Sequence, residues 1–205
     1  METIKEPMVE YGVAKHMLAG QGECGDLHLV CCNRNGLLIA AIDGLGHGEE
    51  AANASKAAAA LLKSSADHPI ISLVERCHEE LRATRGVVLG LAFIDPEHGM
   101  MTWLGVGNVQ GVLMRADAKR GNAQESLLLR AGVVGAQLPP LQATVLPISR
   151  GDTIFLATDG IRTDFSTSLS ARENPQRAAD RILNQYSNGN DDALILVARL
   201  TGVNP

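Results

Sequence analysis

The feature of this chain most able to do chemistry is a set of four acidic motifs, each next to an apolar, strand-like run. The motifs are Asp26, Asp43-Gly44, Asp159-Gly160 and Asp191-Asp192. A buried strand that ends in Asp brings a negative charge to the edge of a core. Carboxylates that converge there raise each other's pKa unless cations lie between them. The motifs therefore predict a site for Mg²⁺ or Mn²⁺, which prefer oxygen ligands.

An Asp-Gly pair is also a common tight turn, so Asp43-Gly44 or Asp159-Gly160 alone would indicate only a turn. Because both pairs follow apolar runs and two further acidic motifs accompany them, the set favours a metal site. His47 lies where a helix is expected to begin, and its ring is expected to be exposed to solvent. Residues 105–108 (Gly-Val-Gly-Asn) predict a hairpin turn rather than a phosphate-binding loop, since they contain no Lys and no helix follows.

The spacing of apolar residues predicts the strands and helices that must position these motifs. Strands are expected at 9–17, 26–32, 37–43, 87–95, 100–106, 109–115, 126–130, 143–148, 153–158 and 192–200. Helices are expected at 49–64, at about 68–85 with Asp67 as its cap, and at 175–186, whereas 163–174 is polar and expected to be mobile. The strands between 87 and 115 predict an antiparallel meander. The order indicates a layered α/β (α+β) fold in which helices cover antiparallel sheets.

Composition narrows the class of protein. The 205 residues, 45% of them hydrophobic, predict one domain spanning 1–205 with a substantial core. A formal net charge of -5 without a basic stripe argues against a nucleic-acid partner. The four cysteines lack Cys-x-x-Cys spacing and predict reduced, buried thiols rather than a zinc site. Residues 1–7 lack an apolar signal core and no run reaches the ~18 apolar residues of a membrane span, so we expect a cytoplasmic protein without membrane contact.

In order and spacing the motifs resemble those of a known family, the metal-dependent PP2C-type protein phosphatases. The similar stretches are Asp43-Gly44-Leu45-Gly46-His47-Gly48, Ala157-Thr158-Asp159-Gly160 and Asn190-Asp191-Asp192-Ala193. The bacterial SpoIIE-like branch is the nearest match. Within it the short, stand-alone phosphatases of stressosome signalling are most similar, because the chain also carries Cys24-Gly25-Asp26. The resemblance covers roughly residues 9–200.

The resemblance implies an αββα sandwich of two antiparallel sheets flanked by helices, with two Mn²⁺ or Mg²⁺ ions in a cleft at one end. Asp43 would bridge both ions, Asp159 and Asp191 would hold the first, and the Gly44 carbonyl would help to hold the second. These three aspartates would be the catalytic residues. The implied reaction is hydrolysis of phosphoserine or phosphothreonine by metal-activated water, without a phosphoenzyme. The implied substrate is a phosphorylated stressosome scaffold or antagonist protein, and we expect the phosphatase to be a monomer.

The resemblance gives further roles to two acidic residues. Asp26 matches the early acidic position of the family and would bind metal, act on the metal-bound water or support the metal ligands from behind. Asp192 falls where eukaryotic relatives often carry Asn, so it would orient the site rather than bind an ion directly.

Two departures from the family pattern keep other functions open. Eukaryotic relatives carry a His directly after the first Asp-Gly, where this chain has Leu45, and the nearest His is His47. No Arg or Lys lies at 20–26, before the first acidic motif, which leaves Lys15 or His16 as candidates to grip the substrate phosphate. The alternative function is a non-catalytic phosphoprotein-binding module with the phosphatase fold. A third hypothesis is a hydrolase of a small phosphoester.

Overall fold

The structure is a computed structural model that describes residues 8–117 and 123–202. Residues 1–7, on which the absence of a signal segment was expected, lie outside these ranges. The strands in the described ranges are β1 (Val9–His16), β2 (Asp26–Cys32), β3 (Leu37–Gly44), β4 (Val87–Asp95), β5 (Met100–Val106), β6 (Gln110–Met114), β7 (Gln124–Ser126), β8 (Thr144–Pro147), β9 (Thr153–Ala157) and β10 (Ala193–Leu200). The helices are α1 (Glu49–Ser64), α2 (Ile70–Glu80), α3 (Pro175–Tyr186) and a 3₁₀ helix at Thr163–Ser168.

The strands form two five-stranded antiparallel sheets. The first sheet has the order β1-β10-β9-β6-β7, and the second has the order β2-β3-β4-β5-β8. Apolar side chains of α1 and α2 pack on the outer face of the second sheet, and those of α3 and the 3₁₀ helix pack on the outer face of the first. A third apolar cluster fills the space between the sheets. The predicted αββα sandwich is therefore confirmed. None of the helices in the described ranges is both long and apolar enough to cross a membrane.

Trp103 fills much of the space where the two sheets face each other. Its indole Nε1 donates a hydrogen bond to the Leu128 carbonyl over 2.7 Å, and its side chain is buried. Glycine on either side makes room for the ring, because a Cβ at Gly90 of β4 would lie 2.6 Å from it and one at Gly111 of β6 would lie 2.8 Å from it. Between the sheets, the indole ring of Trp103 thus packs directly against the backbone of the two glycines. A larger residue at either glycine position would not fit beside the ring.

The predicted antiparallel meander between 87 and 115 is wrong at its third strand. β4 pairs with β5 in the second sheet, but β6 pairs with β7 and β9 in the first. Residues 107–109 therefore cross between sheets instead of forming a hairpin turn, and the Gly107 N–H donates to the Arg130 carbonyl over 2.8 Å. Alternation of apolar residues records which face of a strand is buried and not which strand lies beside it. The crossover brings Asn108 to the end of the sandwich that carries Asp159.

Several local predictions are also wrong. The strand expected at 126–130 is β7 at Gln124–Ser126, because the Arg130 N–H leaves that sheet to donate to the Gly105 carbonyl. The interval 163–174, expected to be polar and mobile, contains the 3₁₀ helix, which buries Phe165. Asp67 does not cap α2, which begins after Pro69 without a side-chain cap. All four cysteines are free as predicted, but only Cys77 is buried.

Candidate metal centre

Strand ends bring the acidic motifs to one end of the sandwich. Asp26 at the start of β2 lies directly opposite Asp43 near the end of β3 in the antiparallel register. Residues opposite each other have Cα atoms about 4.5–5.5 Å apart and side chains on the same face of the sheet. In the first sheet, β9 pairs with β10 so that Asp159, two residues past β9, and Asp191, two residues before β10, lie at the same end.

Asp192 anchors the loop between β1 and β2. Its Oδ1 accepts a hydrogen bond from the Leu18 N–H over 2.8 Å, and its Oδ2 accepts one from the Gly25 N–H over 2.6 Å. The side chain is buried, so both oxygens are satisfied by backbone in a region with little water. An aspartate engaged in this way is suited to orienting the site, because it fixes the loop that leads into Asp26.

Thr158 joins the two sheets at the site. Its hydroxyl donates to Asp26 Oδ2 over 2.6 Å and accepts from the Leu194 N–H over 2.8 Å. Sequence reasoning quoted this threonine as part of a motif but gave it no role. The signal that could have found it is its position between the end of the apolar run of β9 and Asp159. A polar residue that directly follows a buried strand still lies at the edge of the core and needs a hydrogen-bond partner there.

Two asparagines form hydrogen bonds with Asp159, and the sequence predicted a role in the site for neither of them. The Asn108 Nδ2 group donates to Asp159 Oδ2 over 2.8 Å, and the Asn188 Nδ2 group donates to the Asp159 carbonyl over 3.2 Å. The Asn188 N–H also donates to the Gly160 carbonyl over 2.9 Å. No local pattern marks Asn108, because it reaches the site only through the crossover between sheets.

Burial and mutual repulsion dominate the electrostatics of the site. Burial, followed by the neighbouring carboxylates of Asp26, Asp159, Asp191 and Asp192 in that order of importance, raises the pKa of Asp43 to about 9. The Asp43 carboxyl group therefore lies within electrostatic range of all four other aspartates. Without a cation, Asp43 is held in its protonated form at neutral pH.

The same causes act on the other two carboxyl groups with shifted pKa values. The pKa of Asp26 is raised to about 7, chiefly by burial, which outweighs the opposing effect of the hydrogen bond from Thr158. Burial and then Asp191 raise the pKa of Asp159, and the hydrogen bond from Asn108 opposes them.

The remaining predicted residues lie around this cluster. Gly44 is buried under α1, and its N–H donates to the Gly25 carbonyl over 3.2 Å. His47 is exposed in the loop before α1, and it makes no side-chain hydrogen bond to the described residues. Lys15 and His16 are exposed at the end of β1, beside the loop anchored by Asp192.

The donor set fits a divalent cation by its chemistry. In the part of the chain that the structure describes, none of the five aspartates forms an ion pair with Lys or Arg. Also within those ranges, no three His, Cys, Asp or Glu side chains stand in an arrangement that could hold an ion as they are. The fold thus gathers the carboxylates without closing them into a cage. A divalent cation would remove the repulsion that raises their pKa values, and an all-oxygen set suits Mg²⁺ or Mn²⁺.

Comparison with known proteins gives the family. The model of the family Stage II sporulation protein E (SpoIIE) matches residues 33–201. The phosphoserine phosphatase RsbX of Bacillus subtilis (strain 168) is 23% identical over 183 residues, which are 89% of this chain and 90% of that protein. A crystal structure of RsbX in complex with magnesium superposes with a TM-score of 0.82 at 23% identity, covering 94% of this chain and 96% of that one.

Two further solved structures are similar. A chain from a study of the bacterial stressosome as a modular system for secondary messenger signalling has a TM-score of 0.84 and 29% identity, over 93% of this chain and 99% of that one. The PP2C phosphatase domain of SpoIIE from Bacillus subtilis, solved with a fragment of its regulatory domain, has a TM-score of 0.76 and 20% identity, over 96% of this chain and 64% of that one. The family match spans most of the chain, and the chain belongs to the SpoIIE family of PP2C-type serine phosphatases.

Proposed function

We propose that this protein is a Mn²⁺- or Mg²⁺-dependent phosphatase that hydrolyses phosphoserine or phosphothreonine on a stress-signalling protein. The observation that supports this most is the meeting of Asp26, Asp43, Asp159 and Asp191 at one end of the sandwich, where burial and the neighbouring carboxylates raise the pKa values of Asp26, Asp43 and Asp159. Structural aspartates are usually paired with cations or exposed. In this cluster Asp26 is buried and Asp43 and Asp191 are half-buried, and none of the aspartates has a basic partner among the described residues, which suits the cluster to binding metal.

The chain's own residues have defined roles in this proposal. Asp43, Asp159 and Asp191 are the proposed catalytic ligands, with Asp26 and the Gly44 carbonyl as further ligands. When bound, divalent ions supply activation of a water molecule and neutralisation of phosphoryl charge. The hydrogen bond from Thr158 occupies one oxygen of Asp26 and fixes the direction of the other.

The proposed substrate is a phosphorylated scaffold or antagonist protein of a stressosome or partner-switching system. Similarity to the phosphoserine phosphatase RsbX and to a structure from a stressosome study supports this substrate class. The proposal includes a single PP2C-like domain over residues 1–205 that works in the cytoplasm as a monomer. It assigns no role to His47, whose exposed ring does not contact the acidic cluster through any hydrogen bond.

Release of phosphate from a phosphoserine protein, measured with and without Mn²⁺, tests the function. We expect Mn²⁺-dependent release by the natural sequence and a loss of about a hundredfold or more in Asp43→Asn and Asp159→Asn, because each substitution removes a charged ligand. Asp180→Asn is the matched control, since this exposed aspartate on α3 accepts a side-chain hydrogen bond from Gln176 and forms no ion pair among the described residues. Normal turnover by Asp43→Asn or Asp159→Asn would reject the ligand assignment.

Two further measurements separate the alternatives. Tight binding of the phosphoprotein by calorimetry with Mn²⁺, without any release of phosphate, would favour the non-catalytic binding module. Equal specificity constants for a free phosphorylated metabolite and for the phosphoprotein would favour a hydrolase of small phosphoesters.

A further inference from the structure

Arg85 lies against the loop that follows β3. The Leu45 N–H donates to the Gly86 carbonyl over 3.1 Å, which holds the segment before β4 beside this loop. Gly46 has a φ of 84°, and a Cβ there would lie only 2.8 Å from Arg85 Nη1. Gly46 is three residues beyond Asp43, and three residues of chain span at most about 11 Å. The guanidinium therefore lies beside the loop that leads away from the candidate metal centre.

The side chain of Arg85 also lines a surface cavity of about 330 Å³. Glu50 and Asn53 of α1 form one wall, and Ala83 and Thr84 form the other. Arg85 forms an ion pair with Glu50, but 51% of the arginine side chain and 68% of the glutamate side chain remain exposed. A pair this exposed is weak, so the guanidinium can exchange Glu50 for another anion.

The charge around the cavity makes a cation there valuable to an anionic ligand. Asp43 precedes the loop that Arg85 touches, and Glu49 and Glu50, of which Glu50 lines the cavity, begin α1. A phosphoprotein that approaches this end is repelled unless a positive group receives it. A guanidinium binds carboxylate and phosphate groups through two parallel hydrogen bonds, which an ammonium group cannot do. Asn53 adds a side-chain amide without a hydrogen-bond partner among the described residues.

We infer that this cavity is a subsite for an anionic side chain of the substrate protein, a carboxylate or a second phosphate close in sequence to the phosphoresidue that is hydrolysed. Arg85 is the residue that determines this preference, and Asn53 assists it. The inference rests on the proposed phosphatase function and names what the enzyme reads beside the phosphoresidue. The loop at Gly46 connects the subsite to Asp43, so the two anionic groups of a bound peptide fall within a few residues of each other.

Phosphoserine peptides that differ only in one neighbouring residue test the subsite. The neighbour is Ala, Glu, Gln or a second phosphoserine, placed in turn on each side. We expect the natural sequence to show a KM about three- to fivefold lower for the Glu peptide than for the Ala and Gln peptides at one of these positions, the size expected of an exposed charge pair. Comparison of the Glu and phosphoserine neighbours identifies which anion the subsite prefers.

Substitutions assign the preference to Arg85. Arg85→Gln should abolish the difference between Glu and Ala peptides, and Arg85→Lys should retain part of it. Arg82→Gln is the matched control, because Arg82 is paired with Glu79 over 3.0 Å, three residues before Arg85. The control should keep the full preference.

Binding without turnover separates the subsite from the proposed function. Fluorescence anisotropy of the same peptides, labelled and titrated without added Mn²⁺, reports the subsite alone. If the Glu peptide binds more tightly through Arg85 and no peptide is hydrolysed with Mn²⁺, the subsite stands and the phosphatase function fails. The subsite is overturned if the natural sequence has no preference for an acidic neighbour, if Arg85→Gln keeps the preference, or if Lys15→Gln alone removes it.

Discussion

At the scale of single residues, Thr158 links the acidic cluster to both sheets through hydrogen bonds. One buried hydroxyl donates to Asp26 of the second sheet and accepts from the Leu194 N–H of the first. It therefore satisfies a carboxylate and a backbone donor that would otherwise be buried without partners. Its hydrogen bond also lowers the pKa of Asp26, in opposition to burial. Stability and the charge state of the site depend on the same group.

Replacement of Thr158 by Val keeps the shape of the side chain and removes both hydrogen bonds. We expect a loss of about 1–3 kcal/mol in the free energy of unfolding, because the Leu194 N–H and one oxygen of Asp26 lose their partners. Urea unfolding measures this change. Thr102→Val on β5 is the control, since the Thr102 hydroxyl has no hydrogen bond to the described residues, and it should change stability by less than about 0.5 kcal/mol. Equal losses in both variants would contradict the role given to Thr158.

Sequence alone indicates the aspartates but not the groups that hold them. Each aspartate is visible because it ends or precedes an apolar run of its own. Thr158 bonds to a residue 132 positions away, and Asn108 bonds to a residue 51 positions away. Such partners depend on how the sheets stack, and a hydroxyl or amide in a turn has many uses. The ligand assignments themselves stay predictions until the variants above are measured.

At the scale of elements, the site depends on the approach of α1 to the end of β3. A Cβ at Gly44 would lie 2.1 Å from the Ala51 carbonyl oxygen and 2.8 Å from Ser55 Oγ. Ser55 in turn donates to the Gly25 carbonyl over 2.5 Å, so the helix is joined to the loop that precedes β2. The glycine of the first Asp-Gly motif is needed for packing as well as for its carbonyl.

Gly44→Ala should therefore push α1 away from β3. We expect a loss of about 2–3 kcal/mol or more in the free energy of unfolding, because the clash is with backbone that cannot rotate aside. Urea unfolding of the protein without divalent ions measures this effect apart from any loss of metal ligand. Gly22→Ala is the matched control, since a Cβ there meets nothing within 4 Å. A stable Gly44→Ala variant would show that α1 can shift at little cost.

Most of the elements are predictable because their apolar patterns are strong and their ends carry Gly, Pro or Asp. The helix α3 begins at Pro175 and ends at Tyr186 as expected, with Asn174 as its cap. The partner of β6 is not predictable in this way, because β5 and β6 are both buried and separated by only three residues. A connection this short usually joins two strands of one hairpin. Here Gly107, with a φ of 94°, turns the chain into the other sheet instead.

At the scale of the whole molecule, folding brings the carboxyl groups of the acidic motifs together, and their repulsion destabilises the folded state when they are ionised. The carboxyl groups of Asp26 and Asp43 have pKa values of about 7 and about 9 in the folded protein. An Asp in an unfolded chain has a pKa of about 3.9. At any pH between about 3.9 and the pKa of each group in the folded protein, the folded state binds more protons than the unfolded state. Stability contributed by these groups is thus present at low pH and is lost as the pH rises through 7 and 9.

The protein without divalent ions should therefore become less stable on going from pH 5.5 to pH 8.5, by about 2–4 kcal/mol after allowance for solvent screening. This is opposite to the usual behaviour of an ion-paired aspartate. Urea unfolding across this range measures it, and Mn²⁺ should restore stability most at the high end, because the ion binds deprotonated carboxylates. In Asp43→Asn the dependence on pH should be weaker, since the group with the largest shift is gone, whereas Asp180→Asn should behave like the natural sequence. Stability that rises with pH over this range, alike in all three proteins, would mean that the carboxylates are not gathered as the fold places them.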